Sequence, residues 1–161
     1  MMARWIRMGV LNPIEFETAT THLAQAQGRD SQPVLAWGED EMNYGFALIA
    51  PRRLAPGRSA RWSAWGLAAA VATYRQFGVP AYFEQEGLWL HGRCIAEARV
   101  QEIRECVLVA STFLARFPAK CVVTPSVLIE EAFRSRLEAQ HGWQFDHSWP
   151  SAHERCERVS A

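Results

Sequence analysis

Residues 74–98 read YRQFGVPAYFEQEGLWLHGRCIAEA, and this stretch is the most informative part of the chain for the fold. Gly78 and Pro80 end a helix, because glycine favours the left-handed conformation after a helix and proline cannot continue one. Three short β-type runs follow, separated by turns at Gly87 and at residues 91–93. The runs are residues 81–85, 88–91 and 95–101. The stretch therefore predicts a helix followed by a meander of strands.

A first helix is predicted near the amino end. Asn12 can cap it, Pro13 suits the first helical position, and Glu15 lies three residues after the cap, as in a capping box. Gly28 ends this element.

Two strands and a second helix are predicted between the first helix and residue 78. Residues 32–37 and 44–50 are apolar runs of strand length. Ser59 is predicted to cap a helix that runs to Phe77.

The carboxyl-terminal third adds one strand and one helix. Residues 106–112 are a mostly apolar strand, and Thr124 and Pro125 open a long helix that His141 and Gly142 close. Residues 148–161 form a polar tail.

The order of these elements predicts an α+β fold. An antiparallel or mixed sheet is expected, covered by helices on one face. We expect one domain over residues 1–147, followed by the polar tail at 148–161.

Composition excludes several functional classes. The 161 residues carry 17 basic and 17 acidic side chains, so zero net charge gives no electrostatic reason to expect nucleic acid or a membrane surface. The longest apolar run, residues 65–73, is too short to span a bilayer. The four cysteines form no C-x-x-C pair and follow no secretory signal, which predicts reduced thiols in a cytoplasmic protein.

Residues 47–118 resemble the central segment of the biotin/lipoate protein ligase superfamily. Residues 74–81 resemble its helix followed by Gly-Val-x-Ala. Residues 86–98 resemble its strand segment Asp-Leu-hydrophobic-hydrophobic-x-Gly-Arg-Lys-Ile-Ala-Gly, most specifically in the run Gly92-Arg93-x-Ile95-Ala96. Residues 17–37 resemble the lipoate ligase opening, a helix followed by Pro-Val-Leu and an aromatic residue. This resemblance implies the catalytic-domain fold of those ligases in a shortened form.

The chain departs from the ligase pattern at three places. Cys94 stands where the resemblance implies a lysine that stabilises the acyl-adenylate, and a cysteine cannot supply that positive charge. Arg93 is adjacent, but strand alternation directs it to the other face. Residues 38–45, GEDEMNYG, replace the Gly-rich loop that grips the acyl chain and the phosphates, and their three carboxylates would repel a phosphate. The biotin ligase Trp-Pro-Asn-Asp motif is also absent.

The first functional hypothesis is a degenerate, non-adenylating ligase-like protein of lipoate or related acyl metabolism. It would bind an acyl group such as lipoate or octanoate, an acyl-carrier or lipoyl domain, or a partner ligase subunit. By resemblance, the substrate-binding residues would be Trp89, Gly92, Arg93, Ile95 and Ala96.

The second hypothesis is cysteine-dependent octanoyl or lipoyl transfer. The resemblance to lipoate-carrier octanoyltransferases implies a nucleophilic cysteine near Cys121, and Lys120 would favour its thiolate form. Cys94 is the alternative nucleophile. A strand cysteine is, however, more commonly a small apolar filler.

Two further readings remain open. One is a structural or interaction domain without a small-molecule ligand. The other is a metal site near the carboxyl end, but its residues match no zinc motif, so no metal is predicted. These residues are His141, Asp146, His147, His153 and Cys156.

Overall fold

The computed structural model describes residues 1–117 and 125–155. In chain order the elements are β1 (Met2–Val10), α1 (Pro13–Gln25), β2 (Val34–Glu39), β3 (Asn43–Pro51), α2 (Trp62–Gln76), β4 (Tyr82–Glu84), β5 (Gly87–Leu90), β6 (Arg93–Glu97), β7 (Arg99–Ile103), β8 (Cys106–Leu114), α3 (Ser126–His141) and β9 (Gln144–His147). None of the helices in these residues is long and apolar enough to cross a membrane.

The larger sheet has six strands in the order β7-β8-β3-β2-β1-β9. Strand β1 pairs in parallel with β2 and β9, and the other pairs are antiparallel, which confirms the predicted α+β class with a mixed sheet. The strands β1 and β9 were not predicted. Their parallel pairing joins segments far apart in the chain, so no turn signal marks it.

The smaller sheet has three strands in the order β4-β5-β6. Its first turn lies at Gln85 and Glu86, which have φ of 45° and 57°, and not at Gly87 as predicted. The single strand predicted over residues 95–101 is wrong, because the chain leaves the small sheet at Ala98 and enters the large sheet as β7. The Ala98 amide donates to the Glu86 carbonyl at 3.0 Å, which holds this crossing point.

Helices cover both faces of the large sheet, which corrects the expectation of one covered face. Helices α2 and α3 pack on the face that presents Trp37, Phe46 and Val109. Helix α1 packs on the opposite face, where Phe16 and Leu23 meet the other side chains of the same strands. Central strands with near-continuous apolar residues have no solvent face, so each side requires a cover.

Some of the predicted helix starts and ends agree with the structure and one does not. The capping box at Asn12 and Glu15 is confirmed by reciprocal hydrogen bonds. Gly142 ends α3 in the left-handed conformation, as predicted. The prediction for Ser59 is wrong: α2 begins at Trp62 after a short 3-10 turn, and its cap residue Arg61 makes no side-chain hydrogen bond.

Residues after β9 are tied to the body of the protein by a buried carboxylate. Glu154 accepts hydrogen bonds from Arg4 at 2.6 and 2.8 Å and from Gln27 at 2.6 Å. The Arg4 guanidinium is the main reason that the pKa of Glu154 falls to about 2. These contacts join the carboxyl-terminal segment to β1 and to the end of α1.

We predict that Gly66→Ala destabilises the protein by roughly 1–3 kcal/mol. A Cβ at Gly66 would lie 2.4 Å from Val109 Cγ1, so α2 would have to move away from β8. This cost opposes the gain of about 1 kcal/mol that alanine normally brings to a helix. Urea denaturation of the variant measures the change.

Two further variants test the cause. Ala64 is exposed on the same helix, so Ala64→Gly should cost only about 1 kcal/mol through helix propensity. The double variant Gly66→Ala/Val109→Ala should lose less free energy of unfolding than the two single variants lose together. Strict additivity would contradict the proposed contact.

We also predict that His141 makes stability depend on pH between about 4 and 6.5. Its ring stacks on Trp143 at 4.2 Å and meets Trp65 edge-on, and burial lowers its pKa from 6.5 to about 4. Since the unfolded chain binds the proton more readily in this range, stability should fall as pH drops from 6.5 towards 4. His141→Phe should reduce this loss in thermal melts. His153→Gln changes an exposed histidine and should leave this loss unchanged. An equal dependence of the melting temperature on pH in the wild type and in both variants would refute the prediction.

Candidate functional site

The candidate site is a cleft between α1 and the β7–β8 edge of the large sheet, here called the α1 cleft. Its volume is about 420 Å³. Its walls combine apolar side chains with one guanidinium and two carboxylates. The lining residues are Pro13, Phe16, Glu17, Glu97, Ala98, Arg99, Ala110, Ser111 and Thr112.

Arg99 is the cation of the α1 cleft. Its side chain is only 21% exposed and donates hydrogen bonds to the hydroxyls of Thr20 and Thr21 and to Gln101 Oε1. Burial lowers the pKa of Arg99, yet arginine remains charged in proteins. These bonds use three of the five N–H groups of the guanidinium, and Nη1 also lies 3.9 Å from Glu17 Oε1 in an ion pair. Two N–H groups remain for a further acceptor such as a carboxylate.

The position of α1 over the sheet depends on two glycines. Gly38 of β2 and Gly45 of β3 are cross-strand partners, and the Phe16 ring lies against both. A Cβ at Gly38 would lie 2.6 Å from Phe16 Cδ2, and one at Gly45 would lie 3.1 Å from Cε1. Larger residues would therefore push α1 off the sheet and change the cleft.

A tight hairpin joins β2 to β3 at the place where the resemblance implied a Gly-rich loop. The Asp40 amide donates to the Asn43 carbonyl at 2.9 Å, so only a short turn separates the strands. The Glu39 carboxylate accepts a hydrogen bond from the Ser126 hydroxyl, which in turn accepts one from Trp37 Nε1 at 3.1 Å. The Glu39 side chain thus links this hairpin to the start of α3.

The residues predicted to bind substrate do not line the α1 cleft. Ala96 is buried and Ile95 packs against the core, whereas Arg93 is exposed. Gly92 lies in the β5–β6 turn with φ of 78°. Trp89 pairs across the strands with Cys94 on the small sheet. Their role in binding stays a prediction.

Of the two candidate nucleophiles, the structure describes Cys94 but not Cys121. Cys121 and Lys120 lie outside the described residues. Cys94 is exposed, and its Sγ lies 3.5 Å from the Ala96 carbonyl oxygen, the geometry of a weak hydrogen bond. Cys106 is buried at the start of β8, and burial raises the pKa of its thiol.

Residues 1–117 and 125–155 contain no group of three histidine, cysteine or acidic side chains placed to hold a metal ion. Two of the histidines considered for such a site make aromatic contacts instead. His141 stacks on Trp143, and His147 meets Trp5 edge-on at 5.5 Å. Cys156 lies outside the described residues.

Comparison with solved structures shows which fold this is. A structure from an archaeal lipoylation system, described as a bi-partite lipoate protein ligase and its E2 lipoyl domain from Thermoplasma acidophilum, superposes with a TM-score of 0.76 and 9% identity. The match covers 96% of this chain and 89% of that one. A lipoate-protein ligase A bound with ATP gives a TM-score of 0.71, 9% identity, and coverage of 96% and 91%. The chain has the fold of the lipoate and biotin protein ligases.

A solved structure of a biotin-attaching enzyme is also similar to this chain. The biotin acetyl coenzyme A carboxylase synthetase of Helicobacter pylori, with bound biotinylated ATP, gives a TM-score of 0.59, 12% identity, and coverage of 85% of this chain and 75% of that one. No family model and no curated protein sequence matches the chain. The resemblance inferred from residues 47–118 is therefore confirmed as a ligase fold.

Sequence reasoning missed Arg99 as a site residue of this ligase-fold protein. The sequence predicts one strand over residues 95–101, and this pattern does not distinguish Arg99 from its neighbours. Thr20 and Thr21 are polar residues on an otherwise apolar face of the predicted helix, and this pattern could have indicated a polar partner beneath the helix. Only the crossing at Ala98 brings these hydroxyls and the guanidinium together.

We predict that iodoacetamide labels Cys94 readily in the native protein and labels Cys106 only after unfolding. Cys94 is exposed, whereas Cys106 is 1% exposed and burial raises the pKa of its thiol. Peptide mass spectrometry at neutral pH, with and without denaturant, measures both sites. Equal native rates at the two cysteines would contradict the structure.

Proposed function

We propose that this protein binds a medium-chain carboxylic acid of the octanoate or lipoate type in the α1 cleft, without activating it with ATP. The observation that carries the proposal is the half-buried Arg99 guanidinium in a cleft with apolar walls. The carboxylate would meet Arg99, and the acyl chain would lie against Phe16 and Ala110. A cavity of this polarity pattern is typical of small-molecule sites.

Two features argue against adenylation. The β2–β3 hairpin leaves no loop whose amides could surround phosphates. Cys94 stands where the resemblance implies the lysine that would stabilise an acyl-adenylate.

A protein that binds an acyl group without activating it needs a partner for the chemistry. We propose that this partner is an acyl-carrier or lipoyl domain, or a ligase subunit. The bi-partite ligase of Thermoplasma acidophilum, with its E2 lipoyl domain, supports this view by analogy. Cysteine-dependent transfer through Cys121 or Cys94 stays an alternative prediction; within residues 1–117 and 125–155 the hydrogen-bond partner of the Cys94 thiol is the Ala96 carbonyl, which is not a base.

Calorimetric titration with octanoate and with lipoate tests the proposal. The wild type should bind, and Arg99→Leu should weaken binding at least about tenfold, since a charge-assisted hydrogen bond is lost. Arg58→Leu changes an exposed arginine outside the cleft and should bind like the wild type. Thermal melts confirm that each variant is folded.

Incubation with ATP, magnesium and either acid tests the second half of the proposal. We expect no pyrophosphate release and no acyl-adenylate by mass spectrometry, with a competent ligase as positive control. Release of pyrophosphate that depends on the acid would disprove the non-adenylating assignment. Binding that Arg99→Leu leaves unchanged would disprove the site.

A further inference from the structure

A row of small residues crosses three strands of the large sheet beneath the first turns of α1. Gly38 of β2 is the cross-strand partner of Gly45 of β3, and Gly45 is the partner of Thr112 of β8. Because two of these three residues have no side chain, they leave a trough across the sheet on the side that faces α1. Thr112 at the end of this row lines the α1 cleft, so the trough begins at the proposed acyl site.

The ring of Phe16 fills this trough. A Cβ at Gly38 would lie 2.6 Å from Cδ2 and 2.8 Å from Cε2 of the ring, whereas a Cβ at Gly45 would lie 3.1 Å from Cε1 and 3.2 Å from Cδ1. One edge of the ring therefore lies over each glycine, and the ring spans the two strands. Phe16 is only 9% exposed, so little of the ring is left to solvent.

A small cavity, here called the inner cavity, adjoins the same ring. Its lining residues are Leu11, Pro13, Phe16, Gly38, Asp40, Asn43, Gly45 and Thr112. Three of them, Pro13, Phe16 and Thr112, also line the α1 cleft, so Phe16 is a wall that the cleft and the inner cavity share. The volume of the inner cavity is about 30 Å³, which is close to the share of one water molecule in the liquid. An acyl chain therefore has no room there while the ring is in place.

Phe16 lies one helical turn from the group that would hold the carboxylate. The Arg99 guanidinium donates a hydrogen bond to the Thr20 hydroxyl, and this hydroxyl donates one to the Phe16 carbonyl at 2.8 Å. Residues four apart lie on the same face of a helix, and one turn rises about 5 Å. An acid whose carboxylate is bound by Arg99 can therefore reach the Phe16 ring with its acyl chain.

We propose that Phe16 sets the length of the acyl chain that the α1 cleft accepts. In the wild type the ring closes the end of the cleft, and the additional methylene groups of a longer acid remain in water. With a smaller side chain at position 16, the cleft and the inner cavity would join above the two glycines, and a longer chain would lie across them. This inference rests on the proposed function, because it names the size of acid that the same site selects.

The backbone of the two glycines supports this role of the ring. Neither Gly38 nor Gly45 has a positive φ, so their backbone conformation does not require glycine. Glycine inside a strand weakens the strand and often marks a place where another group approaches the backbone closely. Here the close group is the Phe16 ring. The glycine pair thus fixes how deeply the ring sits, and with it the position of the wall that ends the cleft.

Calorimetric titrations with octanoate and dodecanoate, both below their micelle concentrations, test the proposal. The measured quantity is the ratio of the two affinities. In the wild type this ratio should be close to one, because the added methylene groups gain no apolar contact. Phe16→Ala should bind dodecanoate roughly fifteenfold more tightly than octanoate if two more methylene groups are buried, since each one raises affinity about fourfold.

Two further variants separate the effect of the wall from a loss of packing. Phe16→Leu keeps more of the buried apolar volume, so it should remain folded and shift the ratio in the same direction by a smaller factor. The matched control is Leu23→Ala, which removes a buried side chain from the same helix and the same core but lines neither cavity. Its ratio should equal that of the wild type. In thermal melts, dodecanoate should raise the Tm of Phe16→Ala more than that of the wild type.

Three results would overturn the role of Phe16 and leave the acyl site intact. One is octanoate binding with an unchanged ratio in both Phe16 variants. Another is an equal shift of the ratio in Leu23→Ala, which would show a general loosening of α1. The third is a wild type that already binds dodecanoate more than about tenfold more tightly than octanoate, because the ring would then not close the cleft. Failure of the wild type to bind either acid would instead overturn the acyl site itself, and the role of Phe16 with it.

Discussion

The antiparallel pairing of β3 with β8 is the constraint on which the rest of the structure depends. Nine residue pairs run in unbroken register from Asn43 with Leu114 to Pro51 with Cys106. Because both strands are buried on both faces, each side of the pair must be covered by another layer. Helix α2 covers one side so closely that Gly66 lies directly over Val109. Helix α1 covers the other side and thereby creates the cleft.

The cleft depends on a second feature, the transfer of the chain from the small sheet to the large one at Ala98. This crossing places Arg99 at the edge of β8 and under α1, where the hydroxyls of Thr20 and Thr21 receive its hydrogen bonds. The small sheet therefore fixes the point at which the chain enters the large sheet as β7. Residues Gly92 to Ala96, which carry the ligase resemblance, form a turn and a strand of the small sheet.

The β2–β3 hairpin accounts for the proposed difference from an active ligase. Residues 38–45, where the resemblance implied a Gly-rich loop, form a short turn, and Glu39 accepts a hydrogen bond from Ser126 of α3. The proposed acyl site does not need such a loop, because it consists of an apolar wall and one guanidinium.

Much of this protein was determined by the sequence itself. Helix boundaries set by Asn12, Glu15 and Gly142, and the α+β class, follow from interactions between residues close together in the chain, so they could be predicted. The ligase resemblance depended on Gly92, Arg93 and their neighbours. Only the tertiary structure decided the parallel pairing of β1, the second covered face and the role of Arg99. Each of these depends on contacts between residues far apart in sequence, such as Arg99 with Thr20, and local propensity carries no information about which distant partners meet.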